Sequence, residues 1–540
     1  MTNQKRKQSI IAGALTGTAG IFLTKALGLL YASPFQAMAG NEMIFYTSTY
    51  QIYEFLLTIS QSGIPFAIAT LVAKYAAKED YKTTLMVRKI SGFMLGCFGV
   101  ILFAGVVLCS GQIAAYLGEG RDALYLQKFQ ISIILVSFAI IAVPILSMFR
   151  GFYQGLKEVK AYAFSQVLEQ FSRITFLLGM GALMIYVFKQ EQIWAVYFAI
   201  VSTSVSAVVA IAYFLLFDKK HMPELKRLAS VQESDRLKSF EIFKEILYFS
   251  IPFFLISIVA NCSGMVSLMF VNRALQTFGY SAQEADSIYS IMNFNAYKLV
   301  SIPQILGPGF AIAIIPHITS CLAVDDFEGV RNNVAKAFTS CVYIAYPVIL
   351  LMILFAKEIY FVMYGTLNLE YGASILRWAL MVSCFWIIMT LCSNTLLALK
   401  LKRFTLAWNV FSVGVLFVAV KPIVELFAYR GMYFLYACLY IAYTLLACLL
   451  MKKMYQIEFK PMIKMMIKSL SCLLVIIVIY VVVAMIGIDW VSLGRIGALF
   501  GVGCVCGVAM VAYLVLSYVF RLPQDIFDFD LSKLKGLLKR

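Results

Sequence analysis

The sequence predicts an all-α integral membrane protein with about 14 transmembrane helices, arranged as two six-helix repeats plus two C-terminal helices. Apolar residues make up 62% of the chain and charged residues only 14%, whereas soluble domains have roughly half and a quarter. Apolar runs of about 20 residues, enough for a helix to cross the bilayer, follow one another along the chain. Two short segments also recur about 244 residues further on, as Phe66 and Phe310 illustrate.

Each predicted span is an apolar run bounded by polar or basic residues. A bilayer core of roughly 30 Å requires about 20 helical residues. The chain supplies these runs in order: 8–33, 43–73, 91–110, 129–149, 161–188, 192–217, 247–272, 285–316, 335–356, 374–399, 404–427, 431–451, 465–487 and 495–520. Pro65 in the second span and Pro303 in the eighth free backbone carbonyls, so both spans are expected to kink.

The positive charges predict the topology. The net charge of +17 comes mainly from Lys and Arg in alternate short loops, which is the positive-inside pattern of a membrane protein and not a nucleic-acid surface. The short basic segment 1–9 precedes an apolar run too long for a signal peptide, so that run is interpreted as the first membrane helix. We therefore expect a multi-pass protein of the cell (plasma) membrane with both termini cytoplasmic.

The internal repeat predicts the domain organisation. Residues 63–69 (GIPFAIA) recur as 308–313 (PGFAIA), and residues 155–160 (GLKEVK) as 398–403 (ALKLKR). Membrane proteins made of two equivalent halves are typically transporters with a site between the halves. The predicted parts are an N-terminal repeat, a cytoplasmic linker, a C-terminal repeat, two appended helices and a basic cytoplasmic tail. Their bounds are 1–217, 218–246, 247–451, 452–520 and 521–540.

Ionisable residues within the spans are the candidates for a binding cavity, because charges at membrane depth are costly and usually functional. These are Lys25, Glu54, Glu169, Arg173 and Lys298. Glu54 and Lys298 occupy equivalent positions of the two repeats. They either form a structural salt bridge between the halves or face a bound anion, and the sequence leaves both interpretations open.

The remaining charges have simpler interpretations. Glu169 and Arg173 are four residues apart on one predicted helix, which favours a local ion pair over a role in the cavity. Lys25 has no obvious partner nearby, which favours an anionic ligand or a distant acid. Charges nearer the ends of spans, such as Arg150, are expected to reach the membrane interface. Tyr46, Tyr50 and Tyr53 form a stripe that is typical of packing.

The sequence contains none of the motifs of nucleotide-driven or hydrolytic enzymes that would indicate an enzyme. The 12 cysteines are scattered through apolar segments, and no group of Cys and His has the spacing of a metal site. We therefore predict neither a metal site nor a cofactor. A Na+ gradient or the membrane potential is the expected source of energy.

Two stretches carry a resemblance to a known family. Residues 150–156 (RGFYQGL) and 162–170 (YAFSQVLEQ) closely resemble the polysaccharide-transport branch of the multidrug/oligosaccharidyl-lipid/polysaccharide (MOP) flippase superfamily. That branch includes lipid II flippases and a stage V sporulation protein. The resemblance implies a two-repeat fold of fourteen helices in which basic cavity residues hold the pyrophosphate of a lipid-linked saccharide and the last two helices form a groove for the lipid tail.

The resemblance assigns roles to two lysines. Lys25 in KALG (residues 25–28) resembles the family's first-helix arginine, and Lys298, five residues before Pro303, resembles its eighth-helix base. Lysine binds phosphate as a point charge without the bidentate fork of arginine. This chain departs from the lipid II flippases where Leu57-Thr58 replaces an arginine pair and Ser301 replaces an acid.

The expected function is a flippase that moves a polyprenyl-pyrophosphate-linked saccharide, with lipid II as the first candidate, from the inner to the outer leaflet by alternating access. Two alternatives remain open: a flippase for another carrier-linked polysaccharide unit, and a cation-coupled multidrug exporter with Glu54 at its centre. A third is a membrane scaffold that does not transport. The expected partners are the lipid-linked substrate, membrane lipids and cell-wall synthases, without nucleic acid.

Overall fold

The fold was analysed in a computed structural model that describes residues 27–61, 63–232, 239–305, 318–322 and 324–527. Every regular element within these ranges is helical. Ten helical segments among them are long and apolar enough to cross a membrane, and a shorter apolar helix covers Ile64–Ala77. The predicted all-α membrane fold is therefore confirmed. Most of the predicted first span, 8–33, and the end of the eighth lie outside the described residues.

The helices are numbered here in chain order. The first eight are α1 (Ala32–Ala39), α2 (Met43–Gln61), α3 (Ile64–Ala77), α4 (Tyr81–Leu117), α5 (Ala123–Gly155), α6 (Val159–Ala182), α7 (Ile193–Val231) and α8 (Ser239–Phe278). The next five are α9 (Ala282–Ser290), α10 (Ala296–Gln304), α11 (Phe327–Leu354), α12 (Ala356–Tyr364) and α13 (Leu369–Ala398). The last five are α14 (Lys402–Tyr455), α15 (Phe459–Cys472), α16 (Leu474–Ile486), α17 (Gly494–Val519) and α18 (Leu522–Phe527). Two π-helical turns, Leu183–Val187 and Ile291–Asn295, follow α6 and α9.

The chain divides into two compact units, residues 1–272 and 273–540. The first contains α1–α7 and most of α8, and the second contains the remainder. Helices α7 and α8 extend well into the polar connection between the sixth and seventh spans, so most of that connection is helical. The finer domain bounds given above remain predictions.

The internal repeat is visible in the ends of equivalent helices. After α5, Lys157 has φ 67° and the Glu158 amide donates to the carbonyl of Tyr153 over 2.9 Å. After α13, Lys400 has φ 63° and the Leu401 amide donates to the carbonyl of Leu396 over 2.8 Å. Both helices therefore end in the same Schellman motif, a six-residue turn that satisfies the last free carbonyls.

The connections that precede α4 and α11 also share one conformation in the two repeats. Glu79 after α3 has φ 59° and Asp325 before α11 has φ 55°. The next residue in each case caps the following helix: the Asp80 carboxylate accepts from the Thr83 amide over 2.9 Å, and that of Asp326 from the Gly329 amide over 2.8 Å. Aspartate suits both positions because its side chain replaces a missing helical acceptor.

The predicted kink in the second span is a complete break. Helix α2 ends at Gln61, and α3 begins at Ile64 after Gly63, which has φ 77°. That left-handed conformation favours glycine. Pro65 then lies in the first turn of α3, where the amide that proline lacks has no helical partner in any case. Glycine and proline thus end one helix and start the next.

The eleventh and twelfth predicted spans lie within α14. At 54 residues a straight helix would extend about 80 Å, more than twice the roughly 30 Å hydrocarbon core of a bilayer. The chain turns at Ala428, where φ is 53° and ψ is −149°. A methyl group added at Gly431 would lie 2.5 Å from the carbonyl oxygen of Ile423. In a straight helix those residues would be about 12 Å apart along the axis, so α14 is a tight helical hairpin.

The last membrane helices pack on α11 within the second unit. The Tyr513 hydroxyl of α17 donates to the carbonyl of Tyr343 in α11 over 2.9 Å. The Tyr343 hydroxyl pairs with that of Ser517 at 2.8 Å. All three residues are buried. These bonds satisfy the polar groups within an apolar cluster, and they fix the position of α17 against α11.

Candidate substrate-binding site

A group of charged side chains lies within the first unit, on two helices that are long and apolar enough to cross a membrane. The Glu169 carboxylate of α6 accepts from Arg150 Nη2 of α5 over 2.8 Å and from Arg173 Nη2 over 3.0 Å. The Arg150 Nε also donates to the Ser165 hydroxyl over 3.1 Å. The exposed fraction of these three charged side chains is only 14–16%. We call Arg150, Glu169 and Arg173 the charge cluster.

The charge cluster retains one positive charge because two guanidinium groups share a single carboxylate. Arg173 Nη1 lies 3.4 Å from the Tyr50 hydroxyl, and Arg173 Nε is buried without a hydrogen-bond partner among the described residues. A buried donor without a partner is unfavourable. The cluster therefore favours binding of an anion over binding of a cation.

The tyrosine stripe on α2 lies beside the charge cluster, where the Tyr50 hydroxyl is close to Arg173. The rings of Tyr46 and Tyr50 lie 5.4 Å apart, as do those of Tyr50 and Tyr53. Tyr46 and Tyr53 are buried. Their spacing of four and three residues aligns the rings on one face of the helix. Glu54 follows on α2 with an exposed side chain.

Two glycines of the family-like stretch bring α5 close to α3. A methyl group added at Gly151 would lie 2.7 Å from the carbonyl oxygen of Pro65, and one at Gly155 would lie 2.7 Å from that of Ala69. Small residues four apart allow the backbones of membrane helices to approach closely. This packing fixes α5 and with it Arg150, which immediately precedes Gly151.

In the second unit, Lys298 lies on α10 one turn after the π-helical turn. Its ammonium group is 5.6 Å from the centroid of the Phe294 ring, a cation–π geometry. The Ser301 hydroxyl donates to the carbonyl of Lys298 over 2.7 Å. Lys298 is half-buried.

The π-helical turn is braced by α12. The Asn295 side-chain amide donates to the Tyr360 hydroxyl over 2.9 Å, and the Tyr364 hydroxyl donates to the carbonyl of Asn295 over 3.2 Å. All three residues are buried. A π turn leaves backbone groups poorly paired and is frequent at functional sites. Here two tyrosines stabilise it three residues before Lys298.

The structure brings some of the predicted site residues together. Glu169 and Arg173 form the local ion pair that their spacing indicated. Lys298 lies in the other unit, and Lys25 lies outside the described residues. Arg150 was expected only to reach the interface, but it pairs with Glu169. Spacing along the sequence could not reveal this pair, and its one signal is that Arg150 begins the family-like stretch.

No metal-binding group was identified in the part of the chain that the structure describes. There, His, Cys, Asp and Glu do not form a group of three or more that could hold an ion. The described cysteines are free thiols. The prediction that no metal or cofactor is needed, and that an ion gradient or the membrane potential supplies energy, remains a prediction.

The sequence pattern of a known family covers more than half of the chain. The family described as polysaccharide biosynthesis protein matches residues 10–322. The chain belongs to this polysaccharide biosynthesis protein family. Its match includes the charge cluster and Lys298, and the predicted membership of the polysaccharide-transport branch is confirmed.

Two proteins of Bacillus subtilis (strain 168) are similar to this chain over most of its length. Lipid II flippase MurJ is 25% identical over 461 residues, which cover 84% of this chain and 85% of the relative. Stage V sporulation protein B is 22% identical over 364 residues, 67% of this chain and 68% of that protein. The sequence predicted a transport protein and not an enzyme, and the similarity to a flippase agrees with that prediction.

A solved structure shares the fold. The lipid II flippase MurJ in an inward closed conformation matches this member of the polysaccharide biosynthesis protein family with a TM-score of 0.65 and 14% identity. The match covers 95% of this chain and all of that one. It establishes the fold, and the substrate must be argued from the residues of this chain.

Proposed function

We propose that this protein is a flippase that carries a polyprenyl-pyrophosphate-linked saccharide, with lipid II as substrate, from the inner to the outer leaflet by alternating access. It acts in the plasma membrane with both termini in the cytoplasm. The observation that supports the proposal is the excess positive charge of the largely buried charge cluster, on two helices long and apolar enough to cross a membrane. A pyrophosphate is the anionic group that every polyprenyl-pyrophosphate carrier presents.

Lys298 and Lys25 are the proposed pyrophosphate ligands. Lys298 is half-buried and follows the braced π-helical turn, so the backbone that carries it is already ordered before a ligand binds. An ammonium group binds phosphate as a point charge. The charge cluster raises the local positive potential of the first unit and so favours the same substrate.

The carboxylates support an anionic substrate over a cationic drug. Glu169 is neutralised by two arginines, so its oxygens are occupied. A drug exporter would then rely on Glu54, whose side chain is exposed on α2. The proposed flippase predicts that Glu54→Gln retains transport, because an anionic head group gains nothing from a second anion.

The experiment uses cells in which this protein is the sole flippase for lipid II. An added enzyme that cannot cross the membrane cleaves the head groups exposed outside, and the cleaved fraction is measured. Lys298→Gln is expected to reduce outward exposure at least about tenfold, since one charge-assisted contact contributes about 1.5–3 kcal/mol. Lys298→Arg is expected to retain most of it.

The matched control is Lys402→Gln, an exposed lysine at the start of α14. It should leave exposure unchanged. Full transport by Lys298→Gln would contradict the proposal, and drug resistance that depends on Glu54 would favour an exporter. Altered exposure of a different carrier-linked saccharide, with lipid II unaffected, would assign that saccharide as the substrate.

A further inference from the structure

A cavity of about 770 Å³ lies in the first unit between α4 and α7. The charged residues among its described lining are Arg88 and Lys89 of α4 and Asp218, Lys219 and Lys226 of α7. They carry four positive charges and one negative charge. The volume is in the range of cavities that hold small ligands, roughly 300–1,000 Å³. The cavity is therefore large enough to hold a small anion.

The acid in this cavity is already neutralised. The Arg88 guanidinium donates to both carboxylate oxygens of Asp218, and the bond from Nη1 to Oδ1 is 3.0 Å long. The Tyr153 hydroxyl of α5 donates to the same carboxylate. The Arg88 guanidinium also lies over the Phe149 and Phe152 rings, 4.9 and 5.0 Å from their centroids. The pair of Arg88 and Asp218 is thus a fixed part of the cavity wall.

The three lysines that line the cavity are not neutralised in this way. Lys89, Lys219 and Lys226 are exposed, and none of them forms an ion pair with an acid in the described part of the chain. Because Arg88 pairs with Asp218, Lys89 and Lys219, the next residue on each helix, lie at the same level. Lys226 lies two turns further along α7, about 10 Å from Lys219. The cavity therefore has an excess of three positive charges.

We propose that this cavity binds a phosphate group that carries two negative charges, with Lys89, Lys219 and Lys226 as its ligands. Ammonium groups bind phosphate as point charges. Since the attraction grows with the charge of the ligand, several ammonium groups together favour a doubly charged phosphate over a singly charged anion. This site is distinct from the charge cluster and from Lys298, and it does not depend on the substrate proposed above.

Two kinds of molecule present such a phosphate group to this cavity. One is a soluble phosphate such as pyrophosphate. The other is a membrane lipid with a phosphomonoester head group, because Phe93 and Leu215 also line the cavity and their exposed fractions are 74% and 52%. Apolar side chains this exposed on a membrane helix border the lipid. The same lysines serve either source, so the experiment must separate the two.

The test measures how far a bound phosphate protects these lysines from acetylation in the full chain. The protein is placed in nanodiscs of phosphatidylcholine alone, of phosphatidylcholine with soluble pyrophosphate added, or of phosphatidylcholine mixed with phosphatidic acid. Brief acetylation is followed by peptide mass spectrometry with fragmentation, which separates neighbouring lysines. Lys219 and Lys226 are expected to react more slowly when phosphate is present. Protection by pyrophosphate assigns a soluble ligand, and protection by phosphatidic acid alone assigns a lipid.

Lys220 is the internal control, because it is exposed beside Lys219 but does not line the cavity. Lys226→Ala should raise the amount of phosphate that half-protects Lys219 about fivefold, since each lysine near an anionic phosphate contributes a factor of that size. Arg227→Ala removes the same charge from the adjacent exposed residue, outside the lining, and should leave this amount unchanged. Equal acetylation of Lys219 with and without both phosphate sources, or equal protection of Lys220, overturns the proposal.

Discussion

Glu169 of α6 and Arg150 of α5 form an ion pair of 2.8 Å although they are 19 residues apart in the sequence. The other oxygen of the carboxylate binds Arg173 one turn further along α6. The pair joins two helices that are long and apolar enough to cross a membrane. Because one acid serves two bases, the group is held together by Glu169 and keeps a positive charge.

Removal of the acid should therefore destabilise the protein more than removal of a base. Glu169→Gln leaves two buried guanidinium groups without a counter-charge, which costs about 3–5 kcal/mol. Arg150→Gln leaves the pair of Glu169 and Arg173 and costs about 1.5–3 kcal/mol. Thermal unfolding of the purified variants in detergent checks the order.

The double variant provides the control. Glu169→Gln combined with Arg150→Gln restores the single positive charge and should unfold at a higher temperature than Glu169→Gln alone. A double variant less stable than both single variants would show that the hydrogen bonds, and not the charge balance, hold the cluster.

The close packing of α5 on α3 gives a second prediction. Gly151→Ala places a methyl group 2.7 Å from the backbone of Pro65, which must move, and overpacking of this kind typically costs about 1–3 kcal/mol. Gly96→Ala on α4 is the control, because its methyl group meets nothing within 4 Å. The midpoint temperature of thermal unfolding should fall for Gly151→Ala and stay level or rise for Gly96→Ala. Equal effects would contradict the packing described.

Hydropathy was sufficient to predict the helices because crossing a bilayer imposes one length and one composition. The fourth predicted span, 129–149, lies within α5, and the fourteenth, 495–520, differs from α17 by one residue at each end. Local chemistry also predicted the disturbance at Pro65. The end of α2 was less predictable, since the break is set by the left-handed conformation of Gly63.

The site was harder to predict because it depends on which helices touch. The pair of Glu169 and Arg173 is local, so sequence spacing was enough. Arg150 reaches Glu169 only because α5 and α6 pack side by side, a fact that hydropathy does not contain. The π-helical turn before Lys298 likewise depends on Tyr364, which is 69 residues from Asn295. Side-chain contacts between distant segments were thus the missing information.

The brace behind Lys298 gives a third prediction. Tyr364→Phe removes the donor to the carbonyl of Asn295 and leaves it buried without that bond, which costs about 1–3 kcal/mol. Outward exposure of the lipid substrate should fall together with stability, since Lys298 follows the π turn. Tyr436→Phe is the control, because its hydroxyl bonds none of the described residues. Unchanged stability of Tyr364→Phe would rule out the brace.

Acid should weaken the connection between α3 and α4. Burial raises the pKa of Asp80, but hydrogen bonds from Thr83 and Gln232 outweigh it and hold the pKa below its ordinary value of 3.8. A depressed pKa stabilises the fold above pH 3.8, and this contribution is lost as the pH falls towards the folded value. Asp80→Asn should thus be less stable than wild type at pH 6, and the difference should shrink as the pH falls below 3.8. A difference that is constant with pH would contradict this.

The most direct test of the central claim is the side of the membrane on which lipid II lies after this protein is depleted. The protein is depleted in cells that have no other lipid II flippase. The fraction of lipid II that an external enzyme can cleave at the head group is then measured. The proposed flippase predicts that lipid II accumulates in the inner leaflet and becomes inaccessible, and that restored wild-type protein, but not Lys298→Gln, reverses this. Unchanged outward exposure after depletion would contradict the account.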